Sequence, residues 1–444
     1  MTPLAHDLNS YQAGFEWRER HGGGDDPVWL REMRGKAIAQ FLDTGFPGTD
    51  EEEWRFTNLA PIAERSYRLP EFPTLEASTI RRIASLPVVA AAHCRLVFVN
   101  GYLIPELSST SHLHPSVQLQ NIASAALTSD SIVERELSQY AAVSKSSFTA
   151  LNTAFLHDGA YVRVVPSQAV DEPIYLIYVT VPAADPVMIF PRNLILIGEN
   201  STAKLVEVYL SLADGIYWNN AVSETVIGEG ARLEHIKYQL EAESAFHIST
   251  QQSHIGRDAV YSSTSIAMGS RLARNNLNAI LAGMGGECTL NGLYLIAGNQ
   301  RLDNHTLIEH TVPECASHEL YKGILNGHSH AVFNGRVRVR PGAQKTDAKQ
   351  TNKNLLLSND ALVNTQPQLE IYADDVKCTH GATIGQLDEE AVFYLRSRGI
   401  DLEAASGLLT YGFASDVIDR VSVEPLRNLF NDALRERLPQ GLPD

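Results

Sequence analysis

Between about residues 150 and 375 the chain is a succession of short apolar or alternating runs, among them YVRVVP, PIYLIYVTV, NLILIG, KLVEVYLSL and RLEHIKYQL. Glycine, asparagine and aspartate break them apart. Alternation with a period of two is the mark of a strand, and helical periodicity is scarce here, so the stretch reads as one long all-β region. The runs also recur in weakly similar frames. GENSTAKLVEVY and GEGARLEHIKY resemble each other, with Ala203 and Ala231 in matching places, and DAVYSSTSIAMGS follows at a similar interval. Further on, TLNGLYL and VFNGRVRV share an apolar-Asn-Gly core at Asn291-Gly292 and Asn334-Gly335. Irregular repeats of short strands separated by tight turns predict stacked coils, a β-solenoid or parallel β-helix over residues 146–385. A β-sandwich is the alternative, but it would want hairpin turns at even spacing and fewer of these quasi-repeats.

The flanks have another period. In WLREMRGKAIAQFLDTGFP, residues Trp29, Leu30, Met33, Ala37, Ile38, Phe41 and Leu42 fall at helical spacings, with Gly45 and Pro47 beyond the end. TDEEEW offers Thr49 or Asp50 as a cap and Glu52 or Glu53 to close a capping box. Trp54, Phe56 and Leu59 then form a cluster that docks this region onto something else. Residues 1–145 are read as an N-terminal helical region. After the β region, Asp388 can cap LDEEAVFYLRSRGI and Gly399 sits where a C-terminal glycine belongs. A second segment opens at Asp401. EPLRNLFNDALRERL places Leu426, Leu429, Phe430, Ala433 and Leu434 on one face. Residues 386–444 are therefore a C-terminal helical region that packs on the body or on a partner.

A formal charge of -16 argues against nucleic acid as the main ligand, because phosphate binding wants a basic footprint. The N-terminus lacks the basic start and apolar core of a secretory signal, and no apolar run nears the roughly 20 residues that span a bilayer. The expectation is a cytoplasmic protein away from membranes. Cys94, Cys288, Cys315 and Cys378 are scattered without a CxxC pair, which suits reduced thiols rather than a disulfide scaffold or zinc ribbon. The sequons at Asn200 and Asn304 are then chance matches.

GAQKTDA at Gly342 does not complete GxxxxGK[ST], GMGGEC is no GxGxxG, and neither a GxSxG elbow nor an HExxH helix occurs. No nucleotide is expected in a standard loop. Histidines crowd residues 305–330: His305, His310, His318, His328 and His330, with Cys315 among them. His305 and His310 are an odd number of residues apart, so one regular strand would send them to opposite sides. In ADDVKCTHGATIGQLDEE, Cys378 and His380 point the same way if extended, with Cα atoms roughly 6.5–7 Å apart. Thiolate and imidazole suit iron, zinc and iron–sulfur clusters, but a full site needs about four ligands and this stretch gives two at most. The rest must come from elsewhere in the chain or from another chain. As a protease-like dyad the pair is weak, having no oxyanion donors placed beside it.

The run from LIEHTVPECASHELYKGILNG through AVFNGRVRVRPGAQKTDAKQTNKNLLLSNDALVNTQPQLEIYADDVKCTHGATIGQLDEEAVFYLRSRGI resembles the SufB/SufD family of the SUF iron–sulfur assembly system. Within that family the C-x-H of DDVKCTHGATIG and the N-terminal EEWRFTNL look like the SufD branch rather than SufB. The resemblance implies a right-handed parallel β-helix flanked by helical regions, and a scaffold that is not itself an enzyme. It implies pairing with a SufB-like paralogue through the β-helices and a SufC-like ABC ATPase held by the C-terminal helices. It further implies transient iron or a nascent cluster shared with SufB, with His380 as a candidate metal ligand at that interface and Cys378 as a secondary one. Flavin binding and homodimerisation of the lone chain stay open. Two rival readings are a β-helix carbohydrate-active enzyme using Asp374 and Asp375, and a stand-alone metalloprotein using the 305–330 histidines. Adjacent aspartates in one strand face opposite sides, which makes a poor catalytic pair.

Overall fold

The structure, a computed structural model, describes residues 8–22, 26–128 and 132–438. From Thr202 to Gly385 successive strands alternate between two 10-stranded sheets, so each strand hydrogen-bonds not to its neighbour in sequence but to the next but one. Sheet 1 runs through Thr202–Ser211, Arg232–Glu241, Val260–Gly269, Glu287–Ile296, Ala316–Leu325, Thr346–Leu356 and Val376–Gly385. Sheet 2 runs through Tyr217–Ile227, Phe246–Ile255, Leu272–Leu281, Arg301–His310, His330–Val339 and Leu362–Ile371. Each of these pairs is parallel. Two strands make one coil, and about eight coils stack into a parallel β-solenoid.

The repeat is irregular because the corners differ in length. Arg232 lies opposite Val260, whereas His330 lies opposite Leu362. The frames legible in the sequence are nonetheless real at one corner, where Gly228, Gly256 and Gly283 stack. A Cβ on Gly283 would collide with the backbone of Arg257 one coil back, so that corner closes only without a side chain. Two sequence matches need correction. Ala203 stands opposite Leu233, not Ala231, because the strands pair from Thr202 and Arg232 onward. The two Asn-Gly pairs lie on opposite sheets rather than in one column. They share a local need instead. Gly292 leaves room for the ring of Tyr321, and Gly335 for the amide of Gln350.

Sheet structure also begins earlier than residue 146. Cys94–Val99 pairs in parallel with Ile174–Thr180 and starts sheet 1, closed off by antiparallel Tyr102–Leu103. Val117–Asn121 pairs antiparallel with Gly159–Val164 and closes sheet 2. The segment is thus helical only in part, because a first coil must have its backbone groups paired by something. Elsewhere the helices form as read. Val28–Thr44 ends at Gly45 in the left-handed region, and Asp388 and Asp401 cap the helices Glu389–Ser397 and Leu402–Ile418. The capping box at 49–53 does not form. Glu51 flanks a single 3-10 turn, Glu52–Trp54, and accepts from the Gly48 N–H.

The helical flanks cover opposite outer faces. Tyr11, Phe41, Trp54 and Phe148 pack on Trp218, Phe246 and Leu272 of sheet 2. Ala414, Val417, Ile418 and Phe430 pack on Ile236, Tyr238, Ile266 and Leu293 of sheet 1. Among the described residues no helix is long and apolar enough to cross a membrane.

One buried knot ties the N-terminal region to sheet 2. The Glu224 carboxylate accepts from the backbone N–H groups of Ser138, Tyr140 and Ala141 at 2.8–2.9 Å and from Arg192 Nη2 at 2.6 Å. Both charged side chains are fully buried. Glu224→Ala would strand the guanidinium and three N–H donors, so a loss of about 3–5 kcal/mol is expected. Urea unfolding measures it; a change under about 1 kcal/mol would remove the knot from the stability argument.

A candidate metal-ligand pair at the open end

Strand Val376–Gly385 is the last of sheet 1 and Leu362–Ile371 the last of sheet 2. Among the described residues nothing pairs with their outer edges. In register, Ala348 lies opposite Cys378 and Gln350 opposite His380. Directly paired residues on neighbouring strands share a face. Ala348 and Gln350 are buried in the lumen of the solenoid, so Cys378 and His380 face the lumen at its mouth. Both sequence-selected residues are therefore brought together, on the one coil that has no coil beyond it.

Cys378 is half-buried against Val337, Val339 and Ala348, while His380 is exposed. Burial pushes the Cys378 thiol up, the Asp347 carboxylate adds to this, and a backbone hydrogen bond with Ala348 opposes it. Burial thus favours the protonated thiol over the thiolate. No three His, Cys, Asp or Glu side chains among the described residues are grouped so as to hold a metal. The pair offers two candidate donors and no third among the described residues.

The 305–330 histidines do not converge. His305 lies on the outer face of sheet 2, its Nε2 2.9 Å from Asp303 Oδ1. His310 turns into the lumen, 2.9 Å from Ser317 Oγ, and burial lowers its pKa to about 4. His318 and His328 are exposed, His330 Nε2 meets Asn364 Oδ1 at 2.7 Å, and Cys315 is buried. Asp374 and Asp375 are exposed in the corner before the last strand, where the Asp375 N–H donates to Gln344 Oε1.

The sequence reading missed what fills the lumen. Glu207, His235, Lys237, Glu241 and His247 are all buried there. His235 Nε2 lies 3.2 Å from Glu207 Oε2, and Lys237 Nζ donates to Ser249 Oγ and Asn275 Oδ1 at 2.6 and 2.8 Å. Burial brings the Lys237 pKa down to about 8 against the pull of Glu207 and Glu241. The signal was present in KLVEVYL and RLEHIKYQLE, where charges occupy the inward places of otherwise apolar alternations. Nearer the mouth, Glu319 is buried and accepts from Gln350 Nε2 at 2.7 Å.

Beyond the mouth, helix Glu389–Ser397 has no buried residue and leaves Phe393 74% and Tyr394 56% exposed. The edge strands add Leu362, Ile371 and Ile384 to the exposed apolar surface, and Tyr372 follows just beyond the first of them.

Two family descriptions match this chain: the SufBD protein N-terminal region over residues 9–176, and the SufBD core domain of SUF-system FeS cluster assembly over residues 178–413. The chain belongs to the SufBD family of the SUF iron–sulfur cluster assembly system. It is 34% identical to an iron–sulfur cluster assembly SufBD family protein of Synechocystis, over 91% of this chain and 90% of that one. It is 30% identical to the iron–sulfur cluster assembly protein SufD of Escherichia coli, over 99% and 100%. SufD of Bacillus subtilis is 26% identical over 92% and 93%. The core match spans the C-x-H strand and both edge strands of this SufBD protein, together with the exposed helix.

Burial raises the Glu319 carboxyl from its ordinary 4.5 to about 7, against opposing hydrogen bonds from Thr306 and Gln350. A carboxyl raised in the folded state contributes stability below its unfolded pKa that is lost as pH climbs through the folded value. Relative to Glu319→Gln, the wild-type chain is expected to lose about 3 kcal/mol between pH 4.5 and 7. Parallel urea curves across that window check it; a constant difference would mean Glu319 ionises normally.

Proposed function

We propose that this chain is a non-catalytic scaffold subunit of iron–sulfur cluster assembly, acting in the cytoplasm, whose open solenoid end docks edge to edge on that of a SufB-like paralogue. The observation that carries the reading is the last coil: two edge strands unpaired among the described residues, one of which, Val376–Gly385, carries Cys378 and His380 at the lumen mouth. An exposed strand edge is a template for another chain, and natural proteins blunt such edges unless they are used. Two ligands on one edge suit a site completed by ligands from the facing edge. Iron and a nascent cluster are the cargo at that seam, His380 the principal ligand and Cys378 the second. The same edge would let two copies of this chain pair when the paralogue is absent.

The exposed aromatic face of helix Glu389–Ser397 is the proposed contact for a SufC-like ABC ATPase. The two later helices are spent on sheet 1, which leaves this one free to bind. Hydrolysis by that subunit would move the paired scaffolds; this chain hydrolyses nothing itself.

Anaerobic co-expression with SufB-like and SufC-like partners tests both contacts. A ternary complex is expected to survive His380→Ala but to lose its iron and sulfide; unchanged cluster content would refute the ligand assignment. Replacing Phe393 and Tyr394 by Ala is expected to weaken ATPase binding about tenfold or more while SufB pairing persists. Undiminished ATPase binding would move that contact elsewhere.

A further inference from the structure

We propose that Gln350 is a positioning residue for His380, offering its unpaired side-chain carbonyl as the acceptor for the imidazole N–H from the coil behind. Sheet register places the two residues directly opposite each other on adjacent strands and on the same, lumen-facing side. Glu319 stands in the same column one coil further in, opposite Gln350.

Once Glu319 is ionised, above about pH 7, the amide has one orientation available. Its Nε2 donates to Glu319 Oε2 at 2.7 Å, and a carboxylate oxygen is an acceptor. The carbonyl Oε1 therefore points away from that oxygen. It is buried and has no hydrogen-bond partner among the described residues, the exposed His380 ring included. A buried acceptor left unpaired destabilises the fold, and His380 carries a donor one strand away. Gly335, across the lumen on sheet 2, makes the geometry possible, since a Cβ there would strike the Gln350 amide nitrogen. The column Glu319–Gln350–His380 thus reads as an anchor, an oriented amide and a ring.

The consequence deepens the reading of His380 as a ligand and rests on it. An imidazole that donates from one nitrogen is fixed in one tautomer, and its other nitrogen is free to bind a metal. Outer partners of this kind change metal affinity by roughly 10–100-fold. Orientation of the ring would then be set before any partner arrives.

The test uses the full-length, metal-free chain with 15N-labelled histidine, the His380 ring signals being assigned by their loss in His380→Ala. Wild type is expected to show a single neutral tautomer at alkaline pH. Gln350→Met, which keeps the shape without the acceptor, is expected to show a mixture, and Gln350→Glu to restore a single form. A tautomer mixture in wild type, or one unchanged tautomer in Gln350→Met, would overturn the proposal. The wild-type spectrum alone decides it if Gln350→Met fails to fold. The ring measurement needs no metal, so it separates the two ideas. Iron loss in His380→Ala beside an unaltered tautomer in Gln350→Met keeps the ligand and sinks the positioning; the opposite pattern does the reverse.

Discussion

In a stack of parallel coils, each backbone N–H and C=O on a strand finds its partner only in the coil above or below. Every interior coil satisfies this automatically, and the two end coils cannot. The whole architecture follows from how each end meets that demand. At the first coil, Tyr102–Leu103 and Val117–Asn121 turn antiparallel and close the two sheets, so part of the N-terminal region becomes strand. At the last coil the ten-residue strands Leu362–Ile371 and Val376–Gly385 keep their outer edges unpaired among the described residues. An edge of that length without a cap is an aggregation hazard unless a partner takes it. The asymmetry between a closed end and an open one is what sets the last coil apart from the rest of the stack.

The lumen shows a second constraint. Apolar packing alone would tolerate a slip of register by two residues, which keeps the same set facing inward, since many inward residues are interchangeable aliphatics. Glu207, His235, Lys237, Glu241 and His247 do not tolerate it. Each is paired across coils or across the lumen, Asn219 donating to Glu241 and Lys237 to Asn275. A one-residue slip would turn Lys237 outward and bury its neighbours' charges without partners, a cost of several kcal/mol per ion. The polar network therefore acts against misregistered coils, at the expense of burying ions that an apolar core would avoid.

The fold was largely legible because its rule is local. A two-residue period with glycine-marked corners is written in consecutive letters, and the caps at Asp388 and Asp401 are written likewise. What depended on contacts between distant residues was not legible. The pairing of Ala203 with Leu233 needs the exact coil length, which varies from corner to corner. The early strand Cys94–Val99 needs the knowledge that a first coil must be closed. For the candidate site, the sequence located Cys378 and His380 and the two-residue spacing that puts them on one face. It did not contain the fact that their strand is the last, nor that Gln350 and Glu319 stand behind His380. Those are statements about register.

Position on the last coil has a thermodynamic consequence for the proposed seam. A ligand pair that cannot complete a coordination sphere holds metal weakly, whereas the same pair facing ligands from a second edge can bind with full coordination. Metal then favours the paired state by RT ln(1 + [L]/Kd), and pairing raises metal affinity by the same coupling, because the linkage is reciprocal. The raised thiol of Cys378 would weaken sulfur ligation as pH falls, since its proton must leave before sulfur can coordinate. At the proposed seam, backbone pairing and metal capture would be parts of one equilibrium. Separating the edges would loosen both together, which is how a subunit that only moves the scaffolds could release a cluster without touching it.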